Sequence, residues 1–241
     1  MSTPTFEVQN LDVGTALHDY DEIWQRQREL HAEVVSGERG DVFLLLEHEP
    51  VFTAGRRTED SDLPSDGAKV IEVDRGGRIT WHGPGQLVGY AITRLPQPLD
   101  VVAHVRRLEQ LMIRVCADFG IPAHTVQGRS GVWVNSTSSS STSTPNKIGA
   151  IGVRVAQGVT LHGLSLNVDC DLSWAQNIVP CGISDAGVTS LSRELGFEVT
   201  TAEVAGHFVD HLPSFWSDTP SPDSEPTSST PAATPASRVD L

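Results

Sequence analysis

Two stretches of helical periodicity lie far apart in this chain, and the apolar runs between and beyond them are too short to be helices. No other feature constrains the fold as tightly. Over 16–34, Ala16, Leu17, Tyr20, Ile23, Trp24, Leu30 and Val34 recur at mostly three- and four-residue steps, the stripe of an amphipathic helix, which Gly37 and Gly40 end. Over 101–119, Val101, Val105, Leu108, Met112, Val115 and Phe119 repeat the pattern up to Gly120. The intervening runs at 42–46, 51–54, 70–73 and 87–92, and the later ones at 131–134, 148–155 and 164–168, are rich in β-branched residues and read as strands. A capping box, Thr200-x-x-Glu203, opens a last helix to about residue 212. Helices separated by groups of strands, in place of strict alternation, predict an α+β domain around a mostly antiparallel or mixed sheet.

The 241 residues suffice for one domain with a sizeable core. Residues 217–241, dominated by Ser, Thr, Pro and Ala and without an aromatic side chain, cannot bury enough apolar surface to offset ordering entropy. The expected organisation is therefore a domain over 1–216 and a disordered acidic tail. The run 136–145, STSSSSTSTP, sits between apolar segments and reads as an inserted surface loop. A net charge of −14 disfavours nucleic-acid binding, because phosphates require a surplus of Lys and Arg. No apolar run is long enough for a bilayer, and the amino terminus, MSTPTFEVQN, lacks the basic and apolar segments of a secretion signal. A cytoplasmic protein with neither membrane nor nucleic-acid partner is expected. Cys116, Cys170 and Cys181 form no CxxC pair, which argues against a disulfide framework or a structural metal site and leaves free thiols.

The segment RGGRITWHGPGQ, residues 75–86, has Gly or Pro at five of twelve positions and no hydrophobic periodicity. Glycines at this density expose backbone N–H groups and let a ligand approach closely. Two glycines alone would mark a tight connection; Arg75, Thr80, His82 and Gln86 interleaved with them point to a binding segment, although neither the P-loop nor the dinucleotide-binding spacing is present. Lys147 heads the glycine-spaced strand NKIGAIG and is the only Lys or Arg between Arg129 and Arg154. Most lysines are solvated, but one leading into a buried strand is placed to be desolvated toward a pKa useful for proton transfer. His162, in LHGLSLNV, is most simply a core histidine. Cys116 falls in the second helix near its apolar face, and Cys170 lies between Asp169 and Asp171, whose carboxylates raise its pKa. Cys181, between Pro180 and Gly182 in a rigid turn, is the nucleophile candidate.

RGGRITWHGPGQLVGY, NKIGAIGVRV, HGLSLNV and VPCGI together resemble, in order and approximate spacing, the lipoyl(octanoyl) transferases over roughly residues 42–212. The resemblance implies a fold like the catalytic domain of biotin and lipoate protein ligases, a larger mixed sheet beside a smaller one with flanking helices. It implies transfer of an octanoyl group from acyl carrier protein, through a cysteine thioester, to a lysine of lipoyl domains in 2-oxoacid dehydrogenase E2 subunits and of the glycine cleavage H protein. No cofactor or metal is implied. By the family's motifs Cys181 is the nucleophile and Lys147 its acid/base partner. The substrate would be held by Arg75, Gly76, Gly77, Arg78, Ile79, Thr80, Trp81 and His82, by Ala150, Ile151 and Gly152, and by Gly163, Leu164 and Ser165. This chain departs from the family at Gly149, where alanine is common, and in a longer loop before Lys147. The chemistry is sound on its own terms, because a thiolate is a strong nucleophile and its thioester keeps the acyl group activated without ATP. Two other readings compete: an ATP-dependent lipoate or biotin ligase, against which Pro84, Gln86 and the Pro-Cys-Gly turn speak, and a non-enzymatic acyl-carrier-binding module. Acidic partners of an acidic chain require a local basic rim, expected from Arg56, Arg57, Arg75 and Arg78.

Overall fold

The computed structural model of the protein describes residues 6–64, 67–135, 145–178 and 187–217; the turn with Cys181, most of the Ser/Thr loop and nearly all of the expected tail fall outside them. Chain order is β1 (Phe6–Asn10), α1 (Tyr20–Ser36), β2 (Asp41–Leu46), β3 (Val51–Ala54), β4 (Val70–Glu72), β5 (Thr80–His82), β6 (Gln86–Ile92), α2 (Val101–Asp118), β7 (His124–Val126), β8 (Arg129–Val134), β9 (Asn146–Ala156), β10 (Val159–Asn167), α3 (Leu191–Leu195) and α4 (Thr201–Ser217).

The helices begin where a side chain accepts an otherwise orphaned amide. The Asp19 carboxylate accepts from the Glu22 N–H at 3.1 Å, Asp100 from Ala103 at 2.8 Å, and the Thr200 hydroxyl from Glu203 at 3.2 Å. Helix α1 therefore starts later than its periodicity suggested; Ala16 closes a turn onto Asp12 instead, and His18 bridges to His48. Gly37, at φ 83°, ends it. Helix α4 continues through Pro213 to Ser217, past the expected end.

The strands form the expected α+β arrangement of two mixed sheets. The large one has the order β1-β2-β6-β10-β9-β8-β7 and is antiparallel except for the β1–β2 pair; the small one is β4-β3-β5. Strands β5 and β7 are three residues each, too short for any alternation to register in a sequence, and β1 is a partly exposed edge. Strands β9 and β10 form a hairpin through Gln157 and Gly158, whose φ values of 52° and 77° suit a type I′ turn.

Alternation divides the large sheet into two faces. Phe43, Leu45, Leu87, Leu164 and Leu166 pack with Leu108, Met112 and Val115 of α2 and with Val204, Phe208 and Leu212 of α4. Val42, Leu44, Val88, Tyr90 and Ile92 point the other way, against Ile23, Leu30 and Val34 of α1. Beyond α1 this second face is covered by the Arg75–Arg78 loop and β5, with a cavity between them and the sheet.

Candidate active site

The loop between β4 and β5 is organised by Arg75. Its buried guanidinium donates to the Thr53 carbonyl at 2.7 Å, the Thr53 hydroxyl at 2.9 Å, the Gly76 carbonyl at 3.0 Å and the Arg78 carbonyl at 2.8 Å. The Gly76 N–H donates to the Val153 carbonyl at 2.9 Å and so lays the loop on β9. A methyl group at Gly152 would stand 2.8 Å from Arg75 Cδ and 3.2 Å from the Gly76 oxygen, so glycine is needed where loop and sheet touch. Downstream, the buried Glu47 carboxylate accepts from the Gly85 N–H at 2.7 Å, the Gly14 N–H at 2.8 Å and the Thr201 hydroxyl at 2.6 Å, which fixes the His-Gly-Pro-Gly turn.

Under this loop lies a cavity of about 370 Å³. Arg75, Gly77, Arg78, Thr80, His82, Ala150, Ile151, Gly152, Gly163, Leu164 and Ser165, all expected to hold substrate, line it. A smaller cavity of about 50 Å³ shares Thr80, Ala150 and Ser165 with the first and is also lined by Trp81, Gln86, Lys147 and Asn167. Gly76 and Ile79 line neither; Ile79 is wholly buried beneath the small sheet with Phe52 and Trp81.

An irregularity sets the direction of Lys147. Ser165 pairs with Ala150 and Leu166 with Gly149, so strict alternation from Ala150 would send Lys147 to the helix face, where a methyl on Gly149 would stand 2.7 Å from Met112 Sδ. Yet where β8 steps from Val132 to Trp133, β9 steps from Gly149 to Lys147. The extra residue is a β-bulge, and it returns Lys147 to the cavity face. Only 7% exposed, Lys147 holds Nζ 5.3 Å from the centre of the Trp133 ring. Its stem crosses Gly131, at φ 109°, where a methyl group would stand 2.7 Å from Cε. The Gly131 N–H is held by Oε1 of the fully buried Glu109 at 3.0 Å. The Lys147 backbone also anchors the chain after Cys181: its N–H donates to the Gly187 carbonyl at 2.8 Å, and its carbonyl accepts from Thr189 at 3.0 Å.

His162 departs from alternation as well. It should share the face of Leu164 and Leu166, but a left-handed backbone, φ 61°, turns its ring onto Trp24 and Tyr90, at centroid distances of 6.3 and 6.5 Å. It is therefore a cavity residue, not a plain core histidine. Tyr20, His48 and Tyr90, none singled out in the sequence, complete the cluster: His48 Nε2 lies 2.7 Å from the Tyr90 hydroxyl, and the Tyr20 and His82 rings stack at 6.1 Å. Burial brings His48 down to about 4 and His82 and His162 to about 3, and the charge of Arg75 reinforces it at His82 and His162. The 2.8 Å contact from His162 Nε2 to Asp74 is thus a hydrogen bond from a neutral ring, the Asp74 charge being met by Arg154.

One expectation needs correction. Arg56 and Arg57 are exposed, and Arg57 lines the cavity, but Arg75 is buried in backbone contacts and Arg78 is bound to both oxygens of Asp62 at 2.7 Å and to Glu59 at 2.9 Å. Neither of the latter two serves as a free docking charge. Burial pushes the Cys170 thiol up to about 12, and Asp169 and Asp171 raise it further as expected; burial does the same at Cys116. Both are buried free thiols, unsuited to nucleophilic attack. Cys181 lies outside the described residues. Among the described residues there is no cluster of three or more His, Cys, Asp or Glu side chains able to hold a metal, and no helix long and apolar enough to cross a membrane.

A glycine-bridged acyl-sized cavity on a large mixed sheet, with a buried lysine beside it, defines a class that comparison makes specific. Residues 19–213 match the family model described as the lipoyl protein ligase A/B catalytic domain. Among solved structures, a bipartite lipoate protein ligase from Thermoplasma acidophilum shares the fold at TM-score 0.62 and 11% identity, covering 88% of this chain and 83% of that one. A lipoate-protein ligase A bound with ATP does so at TM-score 0.58 and 13% identity, covering 80% and 81%. In sequence, the octanoyltransferase of Salinispora tropica is 58% identical over 213 residues, 88% of this chain and 98% of that protein, and the octanoyltransferase of Clavibacter sepedonicus is 60% identical over 193 residues, 80% and 83% respectively. The chain belongs to the octanoyltransferases of the lipoyl protein ligase A/B catalytic family and is an acyltransferase.

Proposed function

We propose that this enzyme takes an octanoyl group from acyl carrier protein, holds it as a thioester on Cys181, and delivers it to the acceptor lysine of lipoyl domains in 2-oxoacid dehydrogenase E2 subunits and of the glycine cleavage H protein, in the cytoplasm. Lys147 is its acid/base partner. The observation that carries this reading is the bulge that aims Lys147 into the small cavity adjoining the large one. Ile178 lines the same small cavity and precedes Cys181 by three residues, a chain span of at most ~11 Å. A shared site is within reach.

The steps balance without ATP. As the Cys181 sulfur attacks the donor thioester, Lys147 takes the thiol proton and returns it to the departing carrier thiol. When the acceptor amine attacks the Cys181 thioester, Lys147 takes the amine proton and hands it to the leaving cysteine sulfur. Arg75, Gly76, Gly77 and Gly152 hold the loop against the sheet so that the acyl chain is enclosed, and water is kept from hydrolysing the intermediate. Mixing the purified chain with octanoyl-acyl carrier protein and a lipoyl domain, with no nucleotide present, should add one octanoyl mass to the domain's lysine. A requirement for ATP and free octanoate would refute the reading.

A further inference from the structure

The wall of the large cavity remote from Lys147 is made by Tyr20, Tyr90 and His162 with His82 on its flank, and the hydrogen bonds behind it can be assigned a direction from groups that only accept. The Thr189 carbonyl accepts from Asn167 Nδ2 at 2.9 Å; Asn167 Oδ1 then accepts from Gln86 Nε2 at 2.9 Å, and Gln86 Oε1 from His82 Nδ1 at 2.7 Å. The lone pair of His82 therefore sits on Nε2, which has no hydrogen-bond partner among the described residues. A second chain has the same sense. The His18 carbonyl accepts from His48 Nδ1 at 3.0 Å, so His48 Nε2 accepts from the Tyr90 hydroxyl at 2.7 Å. His162 gives its Nε2 hydrogen to Asp74 and keeps a buried, unpartnered lone pair on Nδ1. His82, Tyr90 and His162 thus give their hydrogens to protein acceptors and none to the cavity.

Given the acyl-transfer reading, on which this rests, we infer that the wall sets acyl length: an apolar chain extends until it meets His82 Nε2 and the Tyr90 oxygen, whereas a chain ending in a hydroxyl supplies the donor they lack. Ser165, shared by both cavities, lies three residues after His162 on β10, about 10 Å of strand, comparable to an extended octanoyl chain. Covering an acceptor without pairing it costs more than burying one further methylene gains.

The test uses acyl carrier protein thioesters of octanoyl, nonanoyl, ω-hydroxyoctanoyl, undecanoyl and ω-hydroxydecanoyl groups with the full chain and a lipoyl-domain acceptor. In each near-isosteric pair, nonanoyl with ω-hydroxyoctanoyl and undecanoyl with ω-hydroxydecanoyl, a methyl replaces a hydroxyl. We expect kcat/KM for the hydroxylated member to exceed that of its methyl partner by about tenfold in at least one pair. The preference should shrink in Tyr90→Phe or, should that variant fail to fold, in His82→Phe. Equal or better transfer of the methyl-ended member in both pairs would overturn the inference while leaving acyl transfer intact. Absence of octanoyl transfer from any donor would instead refute the acyl-transfer reading itself.

Discussion

On the α2 and α4 face of the large sheet, Phe43, Leu45, Leu87, Leu164 and Leu166 interlock with Leu108, Met112, Val115 and Phe208 in an apolar cluster. On the other face the alternate residues of the same strands include Tyr90 and Ser165, and the buried groups near them are His48, His82, His162 and Lys147. The first face is apolar and follows strand alternation through β2, β6 and the Leu164–Leu166 part of β10. The second owes its two most informative side chains to departures from alternation, the bulge before Gly149 and the left-handed backbone of His162. One sheet can thus hold a site when regular geometry supplies stability on one side and local irregularity aims chemistry on the other.

Substitutions should separate the two faces, and the largest effect belongs to Lys147. Both Lys147→Ala and Lys147→Arg should lower the transfer rate by about 10³-fold, because a guanidinium keeps the charge but cannot give up its proton. Rate measurement with octanoyl-acyl carrier protein checks this, and a near-normal Arg variant would reduce Lys147 to a fixed charge. Phe208→Ala, on the helix face, should cost about 3–5 kcal/mol of stability in urea unfolding while the protein that remains folded keeps its specific activity. A variant that lost specific activity without losing stability would erase the contrast.

A smaller effect follows from the buried histidines. His48, held at about 4, and His82, His104 and His162, held at about 3, lie below the ordinary value near 6.5 that they regain on unfolding. As the pH falls below about 6.5, the unfolded chain binds protons that the folded one refuses. Stability is therefore complete above that pH and declines toward about 4, by up to roughly 1 kcal/mol per pH unit for each histidine. Urea melts at pH 7 and at pH 5 should show it, and three of the four histidines belong to the cavity face. Equal midpoints would mean that those rings take up protons in the fold.

The α+β class, helix α2 and most strands were legible in the sequence because each shows a period long enough to recognise. The glycine-rich loop and Lys147 stood out through composition and isolation. What was not legible depends on partners distant in the chain. Arg75 and Arg78 looked like free charges because Thr53 and Asp62, which bind them, belong to other segments. Tyr20, His48 and Tyr90 are unremarkable where they occur and become a cluster only when α1, the end of β2 and β6 converge. His162 looked like a core residue because alternation was assumed where the backbone breaks it.

Peptide-level mass spectrometry can detect the covalent intermediate on Cys181. After incubation of the full chain with octanoyl-acyl carrier protein and no acceptor, a single octanoyl adduct should appear on the peptide containing Cys181. It should vanish in Cys181→Ala and persist in Cys116→Ala and Cys170→Ala, whose parent thiols are buried and pushed up to about 12. Undiminished transfer by Cys181→Ala, or an adduct found only on another cysteine, would contradict the account.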